Sequence, residues 1–270
     1  MKTFAIGARS LSFFFALLAA LGLACRMQAQ ATPPEGSRQP VVVELFTSEG
    51  CSSCPPADVL LQKLQAQQPV AAAEIIPLEE HVDYWNHDGW VDPFSSPDWT
   101  ERQASYVSLE KKDPYSPEIV VDGRSQFVGN NPHHAVVEIE KATHTPKAEV
   151  AVKLATTDGN GAARFNVTVG KIDDSKHGDA AEVWLAVTED GLHSSVSRGE
   201  NAGHVLQHVA TLRSLKKIGV ADAGGAQSFT GDPEVKFDSH WSVENLHVTV
   251  FVQKKKSREI VGAASVKVKG

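Results

Sequence analysis

The sequence predicts an α/β unit followed by an all-β unit, and three observations carry that expectation. Up to about Thr143, strand-like and helix-like segments alternate. From Lys147 onward most of the signal is apolar residues at every second position, the period of half-buried strands. Between the two, Ala142-Thr143-His144-Thr145-Pro146 reads as a short linker, because Pro146 cannot continue the preceding helix. The expected organisation is an export signal over residues 1–31, an α/β domain over 40–143 and an antiparallel β-sandwich domain over 147–270.

Val41-Val42-Val43-Glu44-Leu45-Phe46 suits a strand buried on both faces, interrupted by Glu44. After Cys51-Ser52-Ser53-Cys54, the residues Ala57, Leu60, Leu61 and Leu64 recur at helical spacing until Pro69. Ile75 to Val82 predicts a second strand, running into the aromatic loop His81 to Trp90, and a polar helix follows from about Pro97 to Lys112. Ser116-Pro117 leads into Ile119-Val120-Val121, Asp122-Gly123 signals a tight hairpin turn, and Gln126-Phe127-Val128 returns. Asn130-Asn131-Pro132 opens the last helix of this half, which runs to Ala142.

In the second half Val150, Val152 and Leu154 alternate, as do Phe165, Val167 and Val169 after the Asp158-Gly159-Asn160-Gly161 turn. Val183 to Val187, Leu246 to Val252 and Ile260 to Val268 complete a pattern of short antiparallel strands. The stretch Val205 to Ile218 is ambiguous, since Val205, Val209 and Leu212 stand at helical spacing.

Lys2 and Arg9 precede an uncharged run from Leu11 to Cys25, and Ala29-Gln30-Ala31 supplies small residues for signal cleavage. That run is shorter than the roughly 20 residues of a spanning helix, so the reading is a cleaved export signal, no transmembrane helix in the mature chain, and a periplasmic or secreted location. Of three cysteines, cleavage leaves Cys51 and Cys54 in a compartment that permits disulfides. The formal net charge of −7, with no basic cluster, argues against nucleic acid as a partner.

A CxxC pair at the start of a helix suits thiol exchange, because backbone N–H groups and the helix dipole favour a thiolate at Cys51 while Cys54 resolves a mixed disulfide from within. Pro55 and Pro56 lack N–H groups and weaken that activation. Ser52 and Ser53 bring no positive charge. Partners would be protein or small-molecule thiols and disulfides, and no cofactor or metal is called for. Two alternatives stand beside this reading. One is a binding or assembly protein with an inert structural disulfide. The other is a copper carrier, using two thiolates with His81, His87, His133 or His134. Tyr84, Trp85, Trp90, Phe94 and Trp99 either line a partner surface beside Cys51 or fill the seam between the halves.

Strand, CxxC, helix, strand, helix, Ser-Pro, hairpin, helix is the element order of the thioredoxin fold, which this half resembles. More narrowly, VELFTSEGCSSCPPAD (Val43 to Asp58), HVDYW with the following GW and DPF (His81 to Phe94), YSPEIVVDG (Tyr115 to Gly123) and RGENAG (Arg198 to Gly203) resemble a family of secreted bacterial thioredoxin-like proteins, domain-of-unknown-function family 1223. The resemblance implies a thioredoxin-like domain and a cis Ser116-Pro117 bond with Pro117 against the disulfide at the substrate groove; beside it, Ser116, Tyr84, Trp85 and Trp90 are the substrate-binding candidates. It leans toward a strand within Val205 to Ile218. It also places Glu44 where the buried acid of thioredoxin accepts a proton from the resolving cysteine, Cys54 here. One extra residue before the cysteines leaves a strand-edge glutamate in water as the other reading. The family carries no settled activity.

Overall fold

The first apolar run forms β1 (Gln39–Thr47), and its residues from Val41 on are fully buried because the strand lies inside a sheet covered on both faces. Helix α1 (Pro55–Gln67) starts on two prolines, which suit the first turn where no N–H is needed, and stops at Gln68 in the left-handed region with φ 47°. Then come β2 (Ala73–His81), α2 (Pro97–Glu110), the hairpin β3 (Glu118–Val121) and β4 (Ser125–Val128), and α3 (Pro132–Thr143), whose cap Asn131 accepts from the N–H of His134. The second half is strands apart from one 3-10 turn (Val243–Asn245): β5 (Val150–Thr157), β6 (Ala162–Gly170), β7 (Ala181–Glu189), β8 (Leu192–Ser195), β9 (Val205–His208), β10 (Thr211–Ala221), β11 (Gln227–Gly231), β12 (Glu234–Lys236), β13 (Leu246–Lys254) and β14 (Ile260–Lys267). The ambiguous stretch is thus two strands, β9 and most of β10.

This computed structural model describes residues 38–110, 112–158, 161–172, 178–222 and 225–269. The predicted signal segment, and Gly159-Asn160 of the predicted turn, lie outside the described residues.

The expected fold class, a thioredoxin-like domain followed by a β-sandwich domain, is not what forms. The described chain is mostly β with three helices, and strands from both halves share one mixed sheet of eight in the order β14-β13-β7-β10-β2-β1-β3-β4. The junction is the pairing of β10 with β2, parallel, with Thr211 opposite Glu79 and the Glu79 N–H donating to the Ala210 carbonyl at 2.9 Å. On one side β2 pairs parallel with β1; on the other its hydrogen-bonding edge is taken up by the second half instead of being left open. The register of long-range pairs of this kind leaves no local mark, so the alternation pattern could count the strands without assigning them to sheets.

Side-chain alternation sorts the core. Val41, Val43 and Leu45 of β1 meet α1 and α3 through Leu60, Leu61, Leu64, Ala135 and Ile139. Val42, Ile76 and Leu78 face the other way, toward Trp99 of α2 and Phe251 of β13. A smaller sheet built on β6, with β5, β11 and β12, packs Phe165, Val167 and Val169 against Val183, Leu185 and Val187 of β7 and Val248, Val250 and Val252 of β13.

The predicted hairpin turn is realised with φ 49° at Asp122 and φ 66° at Gly123, as a two-residue turn of this hand requires. It is also a knot of tertiary contacts. The Asp122 carboxylate accepts from the N–H of Val42 at 3.0 Å and from Lys147, and a Cβ on Gly123 would overlap the carbonyl of Arg258. Gly123→Ala is therefore expected to destabilise the fold by about 2–4 kcal/mol, combining a left-handed alanine with a backbone clash, as a drop in the urea midpoint would show.

Candidate functional site

Beyond β1 the chain turns through Ser48-Glu49-Gly50, with the N–H of Cys51 donating to the carbonyl of Ser48 at 3.2 Å, and reaches a Cys51–Cys54 disulfide at the mouth of α1. Beyond such local bonds, the loop is held by contacts from distant segments. Gly50 packs tightly on this aromatic segment, since a Cβ there would stand 3.0 Å from the Cβ of Trp85 and 3.3 Å from its carbonyl oxygen. The Trp85 indole N–H donates to Ser116 Oγ at 2.8 Å, which fastens the cysteine loop to the Ser116-Pro117 segment, whose peptide bond is cis. The Trp90 indole donates to Glu49 Oε2 at 2.8 Å, and the Glu49 N–H donates to Asp92 Oδ2 at the same distance. From the second half, Asn201 Nδ2 donates to the carbonyls of Glu49 and Cys51 at 2.8 and 3.0 Å, and Glu200 accepts the N–H of Ser52 at 3.0 Å. Ser52 and Ser53 face solvent, while both cysteines are fully buried.

The prolines leave their mark on the thiol chemistry. Pro55 and Pro56 carry no N–H, and the next two helix N–H groups, of Ala57 and Asp58, donate to the carbonyl of Cys54. The donor placed beside Cys51 Sγ is the Ser53 hydroxyl, at 3.4 Å. A Cys51 thiolate would lean on that one hydroxyl more than on the helix terminus.

Glu44 is buried on the sheet face that α2 covers. Arg102 Nε donates to its carboxylate at 2.6 Å, the Tyr106 hydroxyl donates at 2.6 Å, and Gln253 of β13 donates to the same hydroxyl at 2.7 Å. Glu80 lies 3.4 Å from Arg102. Burial, with Glu44 beside it, pushes the Glu80 carboxyl well above the usual range. Glu44 thus stands in a structural ion-pair network, and its strand neighbours Val43 and Leu45 occupy the side facing α1. The buried carboxyl beside the start of α1 is Asp58, which takes a 2.6 Å hydrogen bond from Thr47 and whose pKa burial raises to about 7.

The same side of β2 carries Glu79 and His81. His81 Nδ1 lies 2.7 Å from Asp92, His208 of β9 sits between Glu79 and Glu49 at 3.1 Å from each, and Phe94 packs edge-on against both imidazoles. Burial works against an imidazolium at His208, but Glu79 and Glu49 outweigh it and bring its pKa up to about 9. Glu79 and His208 had no motif to single them out, whereas Glu49 and Asp92 were visible only as members of the family motifs VELFTSEGCSSCPPAD and DPF; the local hint at Glu79 was the charged run Glu79-Glu80-His81 at the end of a largely apolar strand.

Of the predicted groove residues, Trp85 and Ser116 are brought together directly. Trp90 is tied to the cysteine loop through Glu49, and Tyr84 turns its hydroxyl toward Gln103 of α2 at 3.2 Å. Trp99 is core. The histidines considered as copper ligands are scattered: His87 is exposed beside Asp88, and His134 stacks on Phe127 at the start of α3.

A family model described as protein of unknown function (DUF1223) matches residues 42–253. The chain belongs to the DUF1223 family. A search of curated proteins found no match. Among solved structures, the crystal structure of protein AGR_C_4864 from Agrobacterium tumefaciens is 24% identical, with TM-score 0.64, covering 86% of this chain and 96% of that one. HBP35 of Porphyromonas gingivalis is 19% identical, with TM-score 0.63, covering 86% of this chain and 76% of that one. At these identities the likeness is one of fold. Among the described residues of this DUF1223 chain, no helix is long and apolar enough to cross a membrane.

Glu118, next to Pro117, offers a pH test of the site's surroundings. It is buried, accepts from Gln103 Nε2 at 2.8 Å, and burial raises its pKa to about 7. A carboxyl that holds its proton more tightly when folded supports stability on the acid side and loses that support as pH rises from about 4.5 through about 7. Glu118→Gln is expected to stabilise the protein by about 1–3 kcal/mol at pH 8 and far less at pH 5, measured by denaturant melts at both values.

Proposed function

We propose that this protein is an exported thiol-disulfide oxidoreductase working through Cys51 and Cys54 on protein or small-molecule thiols. The observation that carries the reading is the placement of the Cys51–Cys54 disulfide in a surface-edged loop at the start of α1, flanked by exposed Ser52 and Ser53 and bordered by the Trp85–Ser116 pair. A substrate thiolate attacks Cys51 Sγ, the Cys51–Cys54 bond breaks, and Cys54 leaves as a thiolate that takes up a proton. The substrate's second thiolate then attacks the substrate sulfur of the mixed disulfide and releases Cys51, so the substrate is oxidised by two electrons and the protein reduced by two. Run backwards, the same site reduces a substrate disulfide. Weak thiolate stabilisation at Cys51 favours an intermediate potential over a strongly oxidising one.

A second reading, a binding protein with an inert disulfide, is favoured by the burial of both cysteines beneath the Glu200–Asn201 segment. Equilibration in thiol buffers, followed by alkylation and mass measurement, separates the two. Exchange calls for a potential between about −120 and −270 mV, and a value below about −300 mV would instead mark a disulfide too stable to cycle. In cells, Cys54→Ser should accumulate covalent partners through Cys51, and Cys51→Ser should accumulate far fewer.

Closure by Asn201 supplies a further expectation. Asn201→Ala removes two hydrogen bonds that hold the cysteine loop shut, together worth about 1 kcal/mol or more. Reduction of the disulfide by a small thiol should accelerate roughly fivefold, followed by stopped-time alkylation.

A further inference from the structure

Glu79, His81 and His208 turn one ligand atom each toward a common point, all three atoms lying within 4.8 Å of one another, and all three residues are buried. We propose that they form a binding site for a divalent transition-metal ion of the zinc class. The inference is independent of the redox reading, since it uses neither cysteine.

Four observations point the same way. The first is an orphan: His81 Nε2 is buried and has no hydrogen-bond partner, yet it is aimed at Glu79 Oε2, 3.8 Å away. A polar atom left unpaired in a protein interior is costly unless something is there to meet it.

The second is how each imidazole is held at its far side. His81 Nδ1 is 2.7 Å from Asp92, and His208 Nε2 is 3.1 Å from Glu49. A carboxylate on the outer nitrogen keeps the N–H on that side, so an ion that displaces the inner proton, which His208 carries toward Glu79, meets a lone pair, the arrangement usual around metal-bound histidine. Thr211 Oγ1, 3.1 Å from Glu79 Oε2, performs the equivalent service for the carboxylate ligand.

The third is spacing. Imidazole nitrogens and a carboxylate oxygen bound at about 2.0–2.2 Å in a tetrahedron stand about 3.3 Å apart. Glu79 Oε1 lies 3.1 Å from His208 Nδ1 and Glu79 Oε2 lies 3.8 Å from His81 Nε2, so the carboxylate stands near that spacing from each imidazole through a different oxygen, and one donor atom from each residue falls within 4.8 Å of the others. The fourth is the donor set itself. Two imidazoles and one carboxylate suit zinc and its neighbours in the first transition row, whereas calcium and magnesium want oxygen and copper(I) wants sulfur.

An ion here would tie β2 to β9 directly behind the cysteine loop, since His208 reaches Glu49 and Glu49 lies two residues before Cys51. The test uses untagged protein, stripped with a chelator and dialysed against zinc or cobalt, with bound metal measured by elemental analysis and the cobalt form by visible absorption. The expected result is about one ion per chain, with a cobalt spectrum of mixed nitrogen and oxygen ligation. It should be retained in His133→Ala/His134→Ala, which removes exposed histidines elsewhere, and fall to background in Glu79→Gln and His208→Gln. If folded wild-type protein takes up no zinc and no cobalt above background, the site is refuted. It is equally refuted if binding survives in folded Glu79→Gln or His208→Gln, or disappears with the surface histidines. Should either buried variant fail to fold, the wild-type stoichiometry and the His133/His134 control still decide the matter.

Discussion

Strand β2 places Glu79, Glu80 and His81 one after another in the middle of a sheet, and the rest of the structure has to answer that. Successive strand residues face opposite sides, so charge is buried on both faces at once. An uncompensated buried charge costs several kcal/mol, and apart from Asp92 beside His81 the compensating groups come from farther along the chain. On one face the answer is Arg102 of α2, braced by Tyr106 and by Gln253 of β13. On the other it is His208, delivered by β9 just before β10 pairs with β2. Both answers draw the second half of the chain onto the first, so the single eight-stranded sheet and the two polar networks are parts of one arrangement.

The cysteine loop inherits its geometry from this arrangement. Glu49 is the link: its N–H binds Asp92, its carboxylate meets Trp90 and His208, and its carbonyl takes the Asn201 amide. Two stretches distant from the loop, Trp90 to Asp92 and Asn201 to His208, thereby converge on it two residues before Cys51. A loop held in so many directions is preorganised, and it is also closed, which is why accessibility at Cys51 is the property on which the oxidoreductase and binding-protein readings divide. The prolines at the start of α1 add to this by withdrawing the N–H groups that would otherwise steady a thiolate.

Much of the local structure was legible in the sequence because its causes are local. The apolar run at Val41, the helical spacing of Leu60, Leu61 and Leu64, the Asn131 cap and the Asp122-Gly123 turn each act within a few residues, and each forms close to its expected place. Stretches with mixed signals were harder. Val205 to Ile218 has helical spacing at three positions, yet pairing with β8 and β7 makes it strand, since backbone hydrogen bonds to neighbours outweigh so weak a periodicity. Glu44 illustrates the same limit at the site. Its residue type and place were readable, but whether it faces Cys54 or Arg102 depends on which sheet face each helix covers.

By itself, then, the sequence determined the elements, the hairpin turn, the cysteine pair at a helix start and the family motifs, all of which rest on spacing along the chain. Tertiary structure alone decided that the two halves share one sheet, that Glu44 serves an ion pair, and that His81, Glu79 and His208 meet. The physical reason is common to all three. A buried charge or an unpaired strand edge states a need without naming its partner, and the partner is chosen by packing among segments far apart in the chain, 58 residues for Glu44 and Arg102 and 129 for Glu79 and His208.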